Sequence, residues 1–246
     1  MPYLYETHLH TSQASACGRS LGREYIKYYK DLGYTGIIVT DHFYRSSTAI
    51  NQSLPWRKWV EAFCRGYEDA REEGGRQGLD VFFGWEETFH GDDYLVYGLD
   101  KEWLFQHPEV CRWTLKEQFQ QVRFYGGCVV HAHPFRQSYY IGSIRLSSHV
   151  DAVEAGNGGN QRSFDALAWA YAKKINVPVT AGSDIHRASD IYRDSIFGVY
   201  LSKKMKTIGD YVQAIRNNSL IGLNVPAGRF DLQGDEKIIL PVENLD

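Results

Sequence analysis

What this 246-residue chain lacks narrows the field first. No apolar run approaches the roughly 18 residues that a membrane span needs. The opening MPYLYETHLH has neither a basic n-region nor an apolar h-region, so no signal peptide is expected. Basic excess is missing too: 27 Lys and Arg face 30 Asp and Glu, a formal net charge of -3. That balance speaks against a dedicated nucleic-acid binder, though not against a nuclease with a local basic groove. Cysteine is sparse, with Cys17, Cys64, Cys111 and Cys128 and no CxxC pair, which excludes a zinc knuckle or a thioredoxin-type site. Four scattered thiols fit a reducing, cytoplasmic setting, and Cys64 and Cys128 read as core packing. There is no GxGxxG after the first strand and no P-loop; Gly156-Asn157-Gly158-Gly159 precedes no phosphate-binding Lys and reads as a turn. No repeat, low-complexity tract or Pro/Gly/Ser-rich linker divides the chain.

What is present is ordinary globular material, 43% hydrophobic and 23% charged, long enough to bury a core without disulfides. Strands are expected at Tyr3–His8, Gly36–Thr40, Asp80–Gly84, Tyr94–Gly98, Gly127–Val130, Val150–Glu154, Val177–Thr180 and Phe197–Leu201. Helical spacing marks Gly22–Leu32, with Ser20 as N-cap and Gly33 as stop, and Trp56–Glu73, ended by Gly74-Gly75. Leu115–Tyr125, Arg162–Lys174 and Ile208–Asn217 complete the set. Alternating strands and helices imply βαβ units and a mainly parallel sheet. Seven or eight such units suit a closed barrel better than an open sheet, although pattern alone separates the two poorly. After Leu201 no motif remains, and apolar pieces such as Ile238-Ile239-Leu240 suggest a closing helix and strand.

The nine histidines are unevenly placed. His8 and His10 form HLH at the end of the first strand, where residues two apart face the same way and two imidazoles can reach one ion. The second strand ends in Asp41-His42, the third in Trp85-Glu86-Glu87, the fifth in His131-Ala132-His133-Pro134 and the seventh in Ser183-Asp184-Ile185-His186. Imidazole and carboxylate are the usual N and O ligands of Zn, Mn and Fe, and parallel α/β folds put their sites at the carboxyl ends of strands. Alternation turns Glu87 away from Glu86. His131 shares a face with His133 if the strand continues, or not if Pro134 has already turned the chain. His90, His107 and His149 read as solvated or surface residues.

HLH at 8–10, TDH at 40–42, GWE at 84–86, HAHP at 131–134 and GSDIH at 182–186 together resemble the motifs of the PHP (polymerase and histidinol phosphatase) superfamily, in family order over about residues 5–200. The resemblance implies an α/β fold, a distorted (β/α)7 TIM-like barrel over 1–246, with 201–246 as closing elements. It implies two or three divalent ions (Zn, Mn or Fe) at the C-terminal ends of the strands. His8, His10, Glu86 and Asp184 would hold one ion, Glu86 would bridge to another held with His133, and His42 and His186 would serve the remaining one. The implied reaction is hydrolysis of a phosphate ester, foremost a small phosphomonoester, by a metal-activated hydroxide, with Glu86, Asp184 and His42 as catalytic residues.

Two departures stand out. Thr11–Cys17 holds no acid or His where the family often supports the ion of His42 and His186, leaving Cys17 or water to fill the role. Asp93 stands before the fourth strand where the family often has a His, and is taken as a substitute ligand. Arg19, Arg136 and Arg187 near the motifs, and Asn157, are candidate phosphate-binding residues. Glu154 is expected to orient an imidazole rather than bind an ion. The expected partner is a small phosphorylated molecule, with no membrane and an open oligomeric state. The competing readings are a nuclease or phosphodiesterase on short oligonucleotides, an amidohydrolase, and a non-catalytic metal-stabilised module. Against the amidohydrolase, no Lys sits at a middle strand end.

Overall fold

The computed structural model describes residues 2–137, 142–192, 196–234 and 236–244. In chain order the elements are β1 (Tyr3–Glu6), α1 (Gly22–Asp31), β2 (Gly36–Val39), α2 (Trp56–Phe63), α3 (Arg65–Gln77), β3 (Asp80–Phe89), β4 (Asp92–Tyr97), α4 (Lys101–Gln106), α5 (Leu115–Phe124), β5 (Cys128–His131), β6 (Ile144–Leu146), β7 (Ala152–Asn157), α6 (Arg162–Ile175), β8 (Val179–Gly182), β9 (Gly198–Leu201), α7 (Ile208–Arg216), β10 (Gly222–Asn224) and β11 (Val242–Asn244), with short 3-10 turns at Pro108–Arg112 and Ala188–Asp190. Among the described residues nine strands form one sheet in the order β10-β9-β1-β2-β3-β4-β5-β7-β8, and β11 pairs with β6 apart from it.

The sheet curls until its ends meet. Asp184 N donates to His8 O at 2.8 Å and His10 N to Ile185 O at 3.0 Å, so the segment after β8 bonds to the segment after β1. Lower down, β9 lies antiparallel to β1 and fills the gap towards β8. Seven strands therefore make the wall, as expected for the distorted barrel, and the distortion is β4. It pairs antiparallel with both β3 and β5. The β3–β4 connection is the two-residue turn His90-Gly91, with φ of 56° and 96°, the positive-φ pair that hairpins favour. Because β4 runs backwards, its first residues, not its last, reach the rim where the other strands end.

Alternation along the strands fills both faces. Inside and towards the base, Tyr5, Ile38, Leu95, Tyr97 and Val130 pack with Tyr211, Val212 and Ile215 of α7. Outside, α1 buries Tyr25, Ile26 and Tyr29 on Ile37 and Val39. Further round, α2 lays Trp59 and Phe63 against Phe43 and Trp85. Each such fully buried side chain contributes about 1.5–3 kcal/mol.

Several expectations are corrected. β1 stops at Glu6 and β3 continues to Phe89. Trp56–Glu73 is two helices broken at Cys64, and the second runs through Gly74-Gly75 to the left-handed Gly78. Gly74 sits inside because its Cα faces Leu79 O, too close for a Cβ, and not because the helix ends there. Leu21, not Ser20, precedes α1; the Ser20 hydroxyl instead accepts from Ala188 N at 3.1 Å. β7 starts and ends later than expected and takes in Gly156-Asn157, and the closing strands are Gly222–Asn224 and Val242–Asn244 rather than Ile238–Leu240. Among the described residues, no helix is long and apolar enough to cross a membrane.

Candidate metal centre

The site begins with a kink. Glu6 is wholly buried, and its Oε1 accepts from Thr7 N (2.9 Å), His8 N (2.8 Å) and Ser183 N (2.9 Å). Its Oε2 accepts from Tyr29 OH (2.7 Å) and from the Ser183 hydroxyl. The carboxylate takes amides that a continuing β1 would have given to a neighbour. The chain rotates there, and His8 and His10 both turn inward. Across the seam Gly182 leaves room for this: a Cβ on it would lie 2.5 Å from His8 Cβ.

Four side chains converge at the rim. His8 Nε2 lies 3.0 Å from His10 Nε2, 3.3 Å from Glu86 Oε1 and 3.6 Å from Asp184 Oδ1. His10 Nε2 lies 3.5 Å from Glu86 Oε2 and 3.2 Å from Asp184 Oδ1. Ligands about 2.1 Å from a tetrahedral ion stand about 3.4 Å from each other, so these spacings fit. His133 Nε2 adds a second lobe, 3.2 Å from Glu86 Oε1 and 3.9 Å from Asp93 Oδ2. A third gathers His10, His42 and His186, whose rings stack on His10 at centroid distances of 4.4 and 4.6 Å. His133 and Asp184 both hold positive φ, 31° and 54°, a strained backbone that persists where surroundings dictate it.

The atoms behind the cluster fix which nitrogen faces it. His8 Nδ1 contacts Glu154 Oε1 at 3.0 Å, and Glu154 is steadied by Asn157 Nδ2 (2.8 Å) and His133 N (3.2 Å). His10 Nδ1 contacts Ser15 Oγ at 3.3 Å; that hydroxyl accepts from His42 N (2.9 Å) and donates to Asp41 Oδ1 (2.6 Å). Both Nδ1 atoms therefore act as donors, which leaves two Nε2 lone pairs facing each other at 3.0 Å. Such an arrangement needs a cation or a proton between them. Glu86 Oε2 and His42 Nδ1 are buried, 2.9 Å apart, yet not aligned as a hydrogen bond. The residues thus fit divalent ions.

Charge agrees with geometry. Burial pulls the His8 pKa down, but Glu154, Asp184 and Glu86 outweigh it and hold the imidazole well above its usual value. Burial, with His42 and His186 alongside, drives His10 well below. Burial would raise Glu86 and Asp184; His8 and His42 hold the first well below the carboxylate range, and Arg136 and His8 the second. Asp93 is raised, by burial and then by Glu86. Burial also opposes ionisation of the Cys17 thiol, but hydrogen bonds from His186 and His42 lower it to about 7.

His8, His10, His42, Glu86, Asp93, His133, Asp184 and His186 are thus brought together, all but the two deepest imidazoles lining a cavity of about 620 Å³ with Cys17 and Arg136. A second cavity of about 360 Å³ shares Arg136, Asp184 and His186 and extends to Asn160, Gln161 and Phe164. Arg136 bridges the two, its Nη2 2.5 Å from Asp184 Oδ2 and 3.0 Å from Asn157 Oδ1. Arg19 and Arg187 are exposed and line neither cavity. Asn157 is buried behind Arg136 and Glu154. Glu87 and His131 lie on the outer side of the wall, where Glu87 meets Arg45 and the His131 ring stacks on Tyr94. Sequence reasoning assigned no role to Glu6, Ser15 or Asp41. Glu6 sits two residues before His8 and Asp41 one before His42, which were the available signals.

No family model and no curated protein matches the chain. Solved structures do. A two-domain protein from Bacteroides vulgatus, described as containing a predicted PHP-like metal-dependent phosphoesterase, superposes with TM-score 0.63 at 15% identity, over 89% of this chain and 64% of that one. The chain has the PHP-type fold. PsfC from Pseudomonas syringae matches with TM-score 0.60 at 16% identity over 93% of each chain. An amidohydrolase from Chromobacterium violaceum, with bound sulfate and no metal, matches with TM-score 0.53 at 12% identity over 85% of this chain and 96% of its own. The chain therefore spans less than two thirds of the Bacteroides protein, whose PHP-type part is one portion of a longer molecule. At these identities the shared property is the fold.

Proposed function

We propose that the protein is a metal-dependent phosphoesterase of the PHP superfamily, acting on a small phosphomonoester. The observation that carries the reading is the set of four donors, His8, His10, Glu86 and Asp184, in which the two imidazole Nε2 atoms lie 3.0 Å apart and each lies 3.2–3.6 Å from both carboxylates, at the floor of an open cavity. Divalent ions held there supply an acidified water and neutralise charge on the phosphoryl oxygens. His8, His10, Glu86 and Asp184 would hold one ion, and Glu86 with His133 and Asp93 another. Glu154 and the Ser15–Asp41 pair keep the Nε2 atoms of His8 and His10 turned to the centre. Arg136 holds Asp184 in place and puts positive charge at the border of the two cavities, where a phosphoryl oxygen would enter. Donors with mixed N and O character accept Zn, Mn or Fe.

The test is elemental mass spectrometry on freshly purified protein, followed by a panel of phosphomonoesters and diesters with and without chelator. Two or three transition ions per chain and chelator-sensitive monoester hydrolysis are the expected outcome. Preference for short oligonucleotides would move the reading to a nuclease. The likeness to an amidohydrolase supports a second reading; hydrolysis of a lactone or cyclic amide with no phosphoester turnover would establish it and remove the first.

A further inference from the structure

Arg136 is held by more than its ion pair with Asp184. Its Nε donates to Asn160 Oδ1 at 2.8 Å and its Nη2 to Asn157 Oδ1 at 3.0 Å. An asparagine carries an acceptor on one side and a donor on the other, so it keeps its carbonyl towards a guanidinium when its amide is committed elsewhere. Both amides are. Asn157 Nδ2 donates to Glu154 Oε2 at 2.8 Å, and Asn160 Nδ2 to Asp165 Oδ1 at 3.0 Å. Asp165, in the first turn of α6, is wholly buried, and its Oδ2 accepts from Asn157 N at 2.9 Å and from Arg229 Nε at 2.8 Å. Arg229 Nη2 donates to the carbonyls of Asn157 and Asn160, at 3.0 and 2.7 Å. The seat of Arg229 is built. Val225 and Phe230, on either side of it in the chain, pack on Gly156 of β7, where a Cβ would lie 2.9 and 3.4 Å from them, and Phe230 stacks on Trp169 at 4.5 Å. At the other end of the turn Gly159 lies against the site itself: a Cβ there would stand 3.4 Å from Arg136 Nη2 and 3.5 Å from Asp184 Oδ2.

We propose that Arg229 is a positioning residue of the substrate site: through Asp165 and the Asn157–Asn160 turn it fixes the guanidinium of Arg136 at the border of the two cavities, and so sets how tightly a phosphoryl group is held there. The segment after β10, which carries no motif, thereby belongs to the site. The assignment rests on the reading of Arg136 as the phosphoryl contact. A loose arginine samples many rotamers, and ordering it on binding subtracts from affinity; a guanidinium already held by Asn160, Asn157 and Asp184 loses little when an anion arrives. Asp165 cannot do this alone. A buried carboxylate needs a cation or donors, and Arg229 supplies the positive charge while its fork spans the two carbonyls at the ends of the turn. Without Arg229, Asp165 is left buried without its cation, and Asn160 is released to turn its amide on Arg136, donor against donor.

The probe is inorganic phosphate, titrated by calorimetry into protein with divalent ions in excess, with metal content read on the same samples. Arg229→Met should weaken phosphate by about tenfold, within the range of coupled neighbours, and raise the KM of a phosphomonoester by the same factor while kcat stays within about twofold. Metal content should not change. The deciding comparison is made in Arg136→Met, where Arg229→Met should have no further effect on phosphate. An equal loss in both backgrounds, or no loss in either, overturns the proposal and leaves Arg229 a packing residue of the fold. Where Arg229→Met folds poorly, Arg229→Lys decides by the same comparison: it keeps the charge beside Asp165 without the fork, so a smaller loss that vanishes in Arg136→Met is expected. Absence of phosphate binding by the natural sequence also overturns the proposal. Turnover is scored apart. Phosphate binding that couples Arg229 to Arg136, without phosphoester turnover, removes the phosphoesterase reading and leaves this one standing; turnover with no such coupling does the reverse.

Discussion

The wall formed by β3, β4 and β5 carries the same residue types on its two sides. Inward it presents Glu86, Asp93 and His133; outward, one or two residues away, Glu87, Asp92 and His131. Burial does not distinguish them, since Glu86 is 1% exposed and Glu87 0%, His133 6% and His131 0%. Company does. Glu86 stands among imidazoles, which hold it well below the carboxylate range against the effect of burial. For Glu87 burial wins over Arg45, and its pKa rises to about 7. The inner imidazole meets Glu86 at 3.2 Å, while the outer one finds no hydrogen-bond partner for either nitrogen among the described residues and stacks on Tyr94 with Asp92 at 3.6 Å. A binding centre is made by convergence of donors, not by their type or depth.

The sharpest way to break the comparison is to neutralise each glutamate in turn. Glu86→Gln removes a donor shared by two ion positions. Metal content should fall by at least one ion per chain, and turnover by more than the roughly hundredfold typical of losing a supporting partner alone. Elemental analysis beside initial rates reads both. Retained metal and near-normal rates would show that Glu86 is not at the centre of the chemistry. Its neighbour should behave oppositely: Glu87→Gln keeps its metal and changes the pH profile of stability. The folded-state pKa of Glu87 lies above the ordinary 4.5, so the native state holds that proton more tightly than the unfolded chain does. Its contribution is complete below about pH 4.5 and is lost as pH rises through about 7. The difference between the ordinary 4.5 and about 7 is worth about 3 kcal/mol. Denaturant melts from about pH 4 to pH 8 should show Glu87→Gln gaining by that order on the natural sequence. Parallel pH profiles would mean that Glu87 ionises as freely folded as unfolded.

The same wall shows what the sequence could and could not tell. Donors at strand ends were readable because parallel α/β topology sends every strand end to one rim, and His8, His10, His42, Glu86, Asp184 and His186 all arrive there. The reversed β4 was not readable: its turn, His90-Gly91, lacks the Asn or Asp that usually announces a tight hairpin, so β3 was cut short at Gly84. Asp93 was placed on resemblance, and the physical reason emerges only from the antiparallel register, in which the start of β4 lies at the rim. The relation of His131 to His133 stayed open because alternation predicts a shared face. The positive φ of His133 breaks that alternation. Glu6 was missed for a related reason. A carboxylate that bonds its own following amides leaves no periodic trace, yet that kink turns His8 and His10 inward.

A smaller effect tests whether support from behind matters to the inner side. Glu154→Gln keeps the shape but weakens the acceptor that holds His8 Nδ1 at 3.0 Å. Metal affinity should fall about 10–100-fold with the fold intact, measured by competition with a chelator of known affinity. An unchanged affinity would reduce Glu154 to a packing residue.

The smallest expected effect lies outside the wall, at His131. Its ring is fully buried, and among the described residues neither nitrogen has a hydrogen-bond partner, Asp92 Oδ1 standing off at 3.6 Å, a position where a polar group is a cost. Phenylalanine can keep the stacking on Tyr94, whose ring centroid lies 4.6 Å away, while removing that cost. His131→Phe should therefore leave metal content and turnover unchanged and raise the melting temperature by about 2–4 °C, the response of a chain this size to about 1 kcal/mol. The substitution is informative because His133, two residues on, should give the reverse. Loss of an ion in His131→Phe would mean that the outer imidazole reaches the centre through the wall, and the division between the two sides would fail.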